Sequence, residues 1–297
     1  LIDYDLTLTF GLRYDVYTSD DVPEYSANFE QRYGFSNQQN LDGVDLLQPR
    51  FGFNWIYNDQ LELRGGFGLY SGGNPNVWIS NSYSNDGIRN IQVDKKNLQI
   101  LGPDAIAFNG SGRPGYDIPV ELYDAVSQGG ADDSTNVTDP NFEIPSEWKF
   151  ALGGTYITES NYIFNLDYLY TDKQDSAVIR NLADEVTGTA PDGRPVYSGV
   201  NHPRESDLLL TNVKGSDGYS HVLSFAFNKS FDNGFDIAAS YAYTIAKEVH
   251  PMTSSVAFSN YHRIAVSDPE NPGVSTSNYE VPHRFTFSAG YVHEFID

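Results

Sequence analysis

The sequence has no cysteine, one methionine and no long apolar run. Without cysteine, the chain forms no disulfides, thiolate nucleophiles or cysteine-ligated zinc sites. No segment approaches the roughly 18 uninterrupted apolar residues of a membrane-spanning helix, so that element is excluded. A membrane protein is not excluded, because a membrane-spanning β-strand needs only every second residue to be apolar. The mean hydropathy of −0.44 is compatible with such strands.

Basic residues are also few, with 18 Lys and Arg against 40 Asp and Glu and a net charge of −22. This balance argues against a nucleic-acid partner, because phosphate binding needs a basic surface. It fits long, acidic, solvated loops. The first residues, LIDYDLTLTF, have neither a basic n-region nor an apolar h-region, so we expect no signal peptide within this segment.

The sequence carries no recognisable catalytic or cofactor-binding signature. It has no HExxH, GxSxG, P-loop or dinucleotide-binding fingerprint, and its six histidines are scattered. We therefore expect a protein that is not an enzyme, with no catalytic residue, no metal site and no cofactor. Acidic clusters at Asp20-Asp21, Asp132-Asp133 and Asp268–Glu270 lack the spacing of a calcium-binding EF-hand loop. We expect them to be solvated loop charge.

Aromatic residues are abundant, with 21 Tyr and 18 Phe, and they recur at every second position. Such alternation predicts β-strands with one apolar and one polar face. Helical periodicity is weak, and only Val120–Val126 is predicted to form a short helix. The predicted strands are Asp5–Tyr17, Gln48–Tyr57, Gln60–Tyr70, Glu147–Ile157, Asn161–Thr171, Tyr219–Phe231, Phe235–Ala246 and His283–Phe295.

The connections between these eight strands alternate strictly between long and short. Three are tight turns, at Asn58-Asp59, Thr158–Ser160 and Asp232–Gly234, and Asn-Gly is a strong hairpin signal. The long ones are Thr18–Leu47, Ser71–Ser146, Asp172–Gly218 and Lys247–Pro282. Tight turns at one end of a sheet and long loops at the other are typical of outer-membrane barrels.

The apolar face is therefore predicted to meet lipid. Strands of about 11 residues, tilted near 45°, span about 25 Å of hydrocarbon. Aromatic residues also gather at both strand ends, as expected at the two headgroup layers. They are Trp55, Tyr57, Tyr156, Tyr162 and Phe235 by the short turns, and Tyr14, Tyr17, Tyr70, Trp148 and Tyr170 by the long loops. The alternative is a soluble β-sandwich or barrel whose core holds these aromatics; it explains the alternation but not the asymmetry of the loops.

Several stretches resemble the barrels of TonB-dependent outer-membrane receptors, and of their Oar-like branch in particular. They are LLQPRFGFNW at 46–55, the run from Leu63 to Tyr83, FGLRYD at 10–15 and PHRF at 282–285. The resemblance covers most of the chain in pieces. It implies an all-β fold, a transmembrane antiparallel up-and-down barrel of 22 strands with an N-terminal plug domain that engages TonB.

About eight of those strands are seen here. We therefore interpret residues 1–297 as a segment of a single barrel domain, with the plug and signal peptide absent, and a complete eight-stranded barrel remains the alternative. The implied function is capture of a nutrient at the surface of a Gram-negative cell and its import to the periplasm. The alternatives are a small passive barrel or porin and, in another class, a secreted soluble sugar-binding protein or glycosidase. The implied partners are outer-membrane lipid, the receptor's own plug and the TonB complex, with an unknown small-molecule, glycan or peptide ligand.

Two sets of residues are candidates for function. Polar positions between the aromatics are predicted to face the barrel lumen: Arg13, Arg50, Arg64, Lys149, Asp167 and Arg284. The loop Ser71–Ser146 is the predicted ligand-binding segment, because aromatic, Asn and Arg side chains stack on sugars and hold peptides. Its candidates are Asn74, Asn76, Trp78, Tyr83, Arg89, Tyr116 and Tyr123, and packing of the loop against itself or against the barrel rim is the alternative role for them.

Overall fold

A computed structural model describes residues 5–73, 75–89, 108, 113, 116–127, 132–201 and 206–293 of the chain. Strands dominate these ranges. The elements in chain order are β1 (Leu6–Val16), α1 (Ala27–Tyr33), β2 (Asp45–Ile56), β3 (Leu61–Ser71), α2 (Asn76–Ser84), α3 (Val120–Ser127), β4 (Asn136–Thr138), β5 (Ser146–Ile157), β6 (Ile163–Gln174), β7 (Ala177–Asn181), β8 (Asp184–Thr189), β9 (Pro195–Gly199), β10 (Leu208–Asn212), β11 (Gly218–Ser230), β12 (Phe235–Glu248), α4 (Ala257–His262), β13 (Ser275–Thr276) and β14 (His283–Tyr291).

The largest element is a nine-stranded antiparallel sheet, ordered β1-β2-β3-β5-β6-β11-β12, with β12 also pairing with β13 and β14. Leaving out the two-residue β13, its members are the eight strands that the sequence predicts, joined to their sequence neighbours in up-and-down order. The short turns are also confirmed, and Gly234 occupies the last of them with a φ of 88°.

The register places the predicted apolar residues on one continuous face of the sheet. Leu166 lies opposite Phe225, and Phe225 opposite Tyr241, which in turn faces Phe285. Directly opposed residues of antiparallel strands point to the same side. We call this side the aromatic face. Its rings form cross-strand ladders, with centroids 5.1 Å apart for Phe10–Phe51 and 4.6 Å apart for Tyr241–Phe285.

The aromatic face has no second layer packed on it in the described part of the chain. Leu166 is 55% exposed, Phe225 42% and Phe10 75%. The soluble alternative needs these side chains to be enclosed between two layers, and they are not. An apolar face that stays this open requires a hydrocarbon solvent around it.

The buried apolar residues lie instead in the four long connections, 17–44, 72–145, 175–217 and 249–282, which we call the loop layer. Within it, β4, β10 and β7 form a three-stranded sheet. One cluster on this sheet joins Ile179, Leu208 and Leu210 to Ile79 of α2 and Tyr261 near the end of α4. A second cluster joins Leu209 and Val137 to Phe29 of α1. The small sheet is thus packed on both faces.

The loop layer corrects two predictions. The helix predicted at Val120–Val126 is confirmed as α3, but α1, α2 and α4 were not predicted. These helices are short, so local caps and packing decide them rather than periodicity. In α1 the Ser26 hydroxyl accepts a hydrogen bond from the Phe29 amide at 3.3 Å, and Gly34 ends the helix with a left-handed φ of 79°. The long connections also hold strands of their own, including the β8–β9 hairpin around the Pro-Asp-Gly turn at 191–193.

No helix within the described ranges is long and apolar enough to cross a membrane.

Candidate functional site: the polar face and the loop layer

The side of the sheet opposite the aromatic face carries the predicted lumen residues, and we call it the polar face. The register aligns Arg64 with Gly153, Gly153 with Asp167, and Asp167 with Ser224. The same parity holds for the others, so Arg13, Arg50, Arg64, Lys149, Asp167 and Arg284 all project from this face. Lumen contact itself stays a prediction for these six residues.

Most charges on the polar face are paired. Arg64 contacts Asp167 at 2.7 Å, Arg13 contacts Asp15 at 2.8 Å, and Lys149 contacts Glu147 at 3.0 Å. These pairs are partly or fully exposed to solvent, so they contribute little to stability. Their pattern nonetheless shows a surface suited to water rather than to a dry core, where charge burial is costly.

Glycines on neighbouring strands make room for the long side chains. A Cβ added to Gly153 would collide with the Asp167 carboxylate that pairs with Arg64. A Cβ on Gly68 would lie 3.0 Å from the Arg50 Cγ. Close approach of a neighbouring group is one reason for glycine inside a strand. Here the glycines allow Arg50 and the Arg64–Asp167 pair to lie along the polar face of the sheet.

Arg50 sits in a small network near the loop end of the strands. Its guanidinium donates to Gln48 Oε1 at 3.1 Å and lies 4.3 Å from the centre of the Tyr70 ring. Gln48 is fully buried; its Oε1 also accepts from the Ser71 amide at 3.0 Å, and its Nε2 donates to Asp15 at 2.7 Å. The sequence did not single out Gln48, although it stands two positions from Arg50 and therefore on the same face.

Two residues assigned to the aromatic girdles belong elsewhere. Tyr70 lies opposite Glu147 and shares the polar face with Gly68 and Arg50. Tyr17 packs against the core of the loop layer. The prediction of a headgroup position is wrong for both. For Tyr70, strict alternation predicts the correct face, because its neighbour Leu69 lies on the aromatic face.

The predicted ligand-binding residues of the second long connection divide into two groups. Trp78 Nε1 donates to the Ser254 carbonyl at 3.1 Å, Tyr83 donates to the Asp21 carbonyl at 2.6 Å, and both rings pack on the loop core. Arg89 pairs with Glu24 at 2.8 Å. These three residues therefore have a structural role, which is to join the second connection to the first and the fourth.

The remaining candidates of that segment are more open. Tyr116 is 77% exposed with Arg113 over its ring at 4.1 Å, and Tyr123 on α3 is 47% exposed. Asn76 is an exposed residue at the start of α2. Asn74 lies outside the described residues. Ligand contact stays a prediction for the whole set.

The acidic clusters are not uniformly solvated, which corrects a further expectation. Asp20 and Asp21 are exposed, but Asp133 is buried. Asp132 forms a two-pronged contact with Arg32 at 2.7 and 2.8 Å. The fully buried Asp207 lies beside the same Arg32. Its carboxylate accepts hydrogen bonds from the Tyr33 hydroxyl at 2.7 Å and from the Thr135 backbone amide at 2.8 Å. Burial raises the pKa of Tyr33, and the Asp207 charge adds to that shift.

A second acidic centre joins α4 to the third and fourth connections. The Tyr261 hydroxyl lies 2.5 Å from Asp184 Oδ2 and 2.6 Å from Glu270 Oε1. Glu270 Oε1 also accepts a hydrogen bond from the backbone N–H of Asn181 at 2.9 Å. Burial raises the pKa of Glu270 and of Tyr261. Nearby, burial and the hydrogen bond to Asp268 raise the pKa of Tyr197 to about 12.

This centre is not arranged as a metal site. Among the described residues, no group of three or more His, Asp or Glu side chains is placed to hold a metal ion.

An up-and-down sheet with an open aromatic face, a charged opposite face and a cored loop layer at one end defines the wall of an outer-membrane β-barrel. Comparison with family models supports this class: the model described as outer membrane beta barrel domain matches residues 2–296. The chain therefore belongs to the outer membrane β-barrel domain family, and its place is the outer membrane of a Gram-negative bacterium.

Comparison with solved structures gave partial similarities. The FrpB iron transporter from Neisseria meningitidis matches at 12% identity and a TM-score of 0.47, covering 99% of this chain and 29% of that one. The outer membrane transporter YddB from Escherichia coli matches at 16% and 0.45, covering 84% and 27%. The ferric enterobactin receptor PfeA from Pseudomonas aeruginosa matches at 11% and 0.45, covering 82% and 25%. The chain thus spans less than a third of the length of each. Comparison with curated protein sequences gave no significant match.

Proposed function

We propose that the chain is part of the barrel of a TonB-dependent receptor, which binds a nutrient at the cell surface and imports it to the periplasm. The observation that carries this proposal is the loop layer. Its four connections share one buried core at a single end of the sheet. In outer-membrane barrels that end faces the exterior. A packed, polar-surfaced layer there suits ligand capture better than an open pore does.

The polar face supports the same function. A wall with paired charges and glycine-lined gaps suits a lumen that holds water, a plug or a passing ligand. In this proposal residues 1–297 are one segment of a larger barrel domain, whose plug engages TonB. The receptor does no chemistry on its ligand, so we assign no catalytic residue.

The experiment is uptake by the intact receptor. The full-length protein is purified from its native outer membrane, and mass spectrometry identifies the compound that co-purifies with it. Uptake of that compound is then measured in cells with and without a functional TonB. The proposal expects uptake that stops without TonB and without the receptor. Uptake that continues at the same rate without TonB would instead identify a passive barrel or porin.

A further inference from the structure

The polar face holds a basic site whose main cation, Arg50, has no carboxylate within ion-pair distance among the described residues. In the part of the chain that the structure describes, Arg13, Arg64, Lys149 and Lys173 each contact a carboxylate within 3.3 Å. Within those described ranges Arg50 contacts none at ion-pair distance; its hydrogen-bond acceptor is the neutral Gln48 side-chain amide, and the Asp15 carboxylate acts on it only from a longer distance. Its Nε atom is buried and has no hydrogen-bond partner in the part of the chain that the structure describes. A buried donor of a charged group without an acceptor is costly.

The residues around Arg50 hold its guanidinium in one position. Gly11 and Gly68 are its partners on the two neighbouring strands, so the side chain lies over bare backbone. The Tyr70 ring stacks on the guanidinium, and Gln48 holds its Nη2 atom. A planar guanidinium fixed in this way loses little freedom when it binds a second group.

A second cation faces the same ring. Lys149 lies opposite Gly68, and its Nζ is 5.7 Å from the centre of the Tyr70 ring. The register also aligns three small residues on neighbouring strands of this face, Gly52, Gly66 and Ala151. Because their side chains are absent or short, the surface of the sheet next to Lys149 is low there. Two depressions, of about 550 and 750 Å³, share Tyr70 in their lining; Lys149 lines the first and Arg50 the second. There is thus room for a ligand group beside each cation, in the depression that it lines on its side of Tyr70.

We propose that Arg50, Tyr70 and Lys149 bind an oxyanion, a carboxylate or phosphate group, on the polar face. This inference rests on the proposed function, since it takes the polar face as the wall of the lumen. Arg50 is the primary ligand-binding group, because its fork of N–H donors matches the two oxygens of a carboxylate. Lys149 adds further N–H donors, with its charge already paired with Glu147, and Tyr70 fixes the guanidinium plane. The oxyanion has two sources: a dissolved ligand, or a carboxylate of the receptor's own polypeptide inside the lumen.

The test uses the full-length receptor in detergent micelles and citrate as the probe, with binding measured by equilibrium dialysis at low ionic strength. Arg50→Gln is compared with wild type and with Arg284→Gln, which removes the same charge from the same face at an exposed position outside this site. We expect Arg50→Gln to weaken citrate binding by about tenfold to a hundredfold, and Arg284→Gln to leave it unchanged. Arg50→Lys keeps the charge but not the fork, and we expect an intermediate affinity.

The thermal unfolding temperature of the ligand-free receptor separates the two sources. If citrate does not bind, but Arg50→Gln alone lowers this temperature and high salt abolishes the difference, an internal carboxylate occupies the site. If Arg50→Gln matches wild type in both measurements, or if Arg284→Gln loses citrate as strongly, the proposal is overturned. Neither outcome alters the uptake test, in which TonB-independent transport would refute the receptor assignment whatever Arg50 binds.

Discussion

Replacement of Tyr261 by Phe removes one hydroxyl from the centre of the loop layer and keeps the ring. That hydroxyl contacts Asp184 at 2.5 Å and Glu270 at 2.6 Å, and the residue is 7% exposed. A phenol has one proton, so it donates to only one of the two carboxyl groups. A hydrogen bond to a charged group contributes about 1.5–3 kcal/mol. We therefore expect a loss of about this size, confined to the loop layer.

Hydrogen exchange measured by mass spectrometry on the full-length receptor is the suitable assay, because it reports local opening separately from unfolding of the barrel. The expected result is an increase of about tenfold to a hundredfold in the exchange rate of protected amides in β7 and β10. Amides of β5 and β6 in the large sheet serve as the internal control and should not change. An unchanged rate in β7 and β10, or an equal increase in all four strands, would refute the reasoning.

The same centre predicts a pH dependence. Burial raises the pKa of Glu270 above its unfolded value, so its protonated form is favoured in the folded loop layer. The stabilisation is complete below the unfolded pKa of about 4.3 and is lost as the pH rises through the folded pKa. Once corrected for intrinsic rates, exchange in β7 should therefore quicken as the pH rises. The Gln side chain of Glu270→Gln cannot titrate. The difference in β7 exchange rate between this variant and wild type should therefore vanish at low pH and grow as the pH rises, and a difference that stays constant with pH would contradict this.

Three further substitutions probe the loop layer, the polar face and the aromatic face. Asp207→Asn removes a buried ion-pair contact with Arg32 at 3.6 Å and should destabilise β4 and β10 by about 3–5 kcal/mol, as measured by hydrogen exchange. The control Asp192→Asn, in the exposed hairpin turn, should not change exchange in β4 and β10. Gly153→Ala displaces the Asp167 carboxylate from Arg64 and should lower the folded fraction on unheated gels, while Gly290→Ala, with open space at its Cβ, should not; equal yields would contradict the packing argument. Phe225→Arg should cost about 2–4 kcal/mol in denaturant unfolding from lipid vesicles, and Ser224→Arg, one residue away on the polar face, less than about 1 kcal/mol; the reverse order would mean that the faces are assigned the wrong way round.

The strands and their faces were predictable because a period of two is a local property that each strand repeats. A run such as Phe285, Phe287, Tyr291 fixes the face without knowledge of its neighbours, and the register then aligns it with Tyr241 and Ala239. The tight turns added the strand order. Tyr70 shows that the same rule, applied strictly at a strand end, assigns an aromatic residue to the polar face.

The loop layer was not predictable in this way. Its core joins residues from four connections, such as Leu41, Ile79, Ile179 and Ala257, that are far apart in sequence and carry no shared period. Its helices are too short for periodicity, although Ser26 and Gly34 gave the cap signals of α1. The Arg50 network likewise depends on cross-strand neighbours, Gly11 and Gly68, that only the register brings together.

The direction of the aromatic face is tested most directly by spin labels on single introduced cysteines, since the chain has none of its own. The full-length receptor in lipid bilayers carries the label at Phe225 or Leu166 on the aromatic face, and at Ser224 or Ala226 on the polar face. We expect labels at Phe225 and Leu166 to be relaxed by lipid-soluble oxygen and shielded from a water-soluble nickel complex, and labels at Ser224 and Ala226 to show less oxygen contact. Nickel contact at Phe225 and Leu166 equal to that at Ser224 would contradict the account.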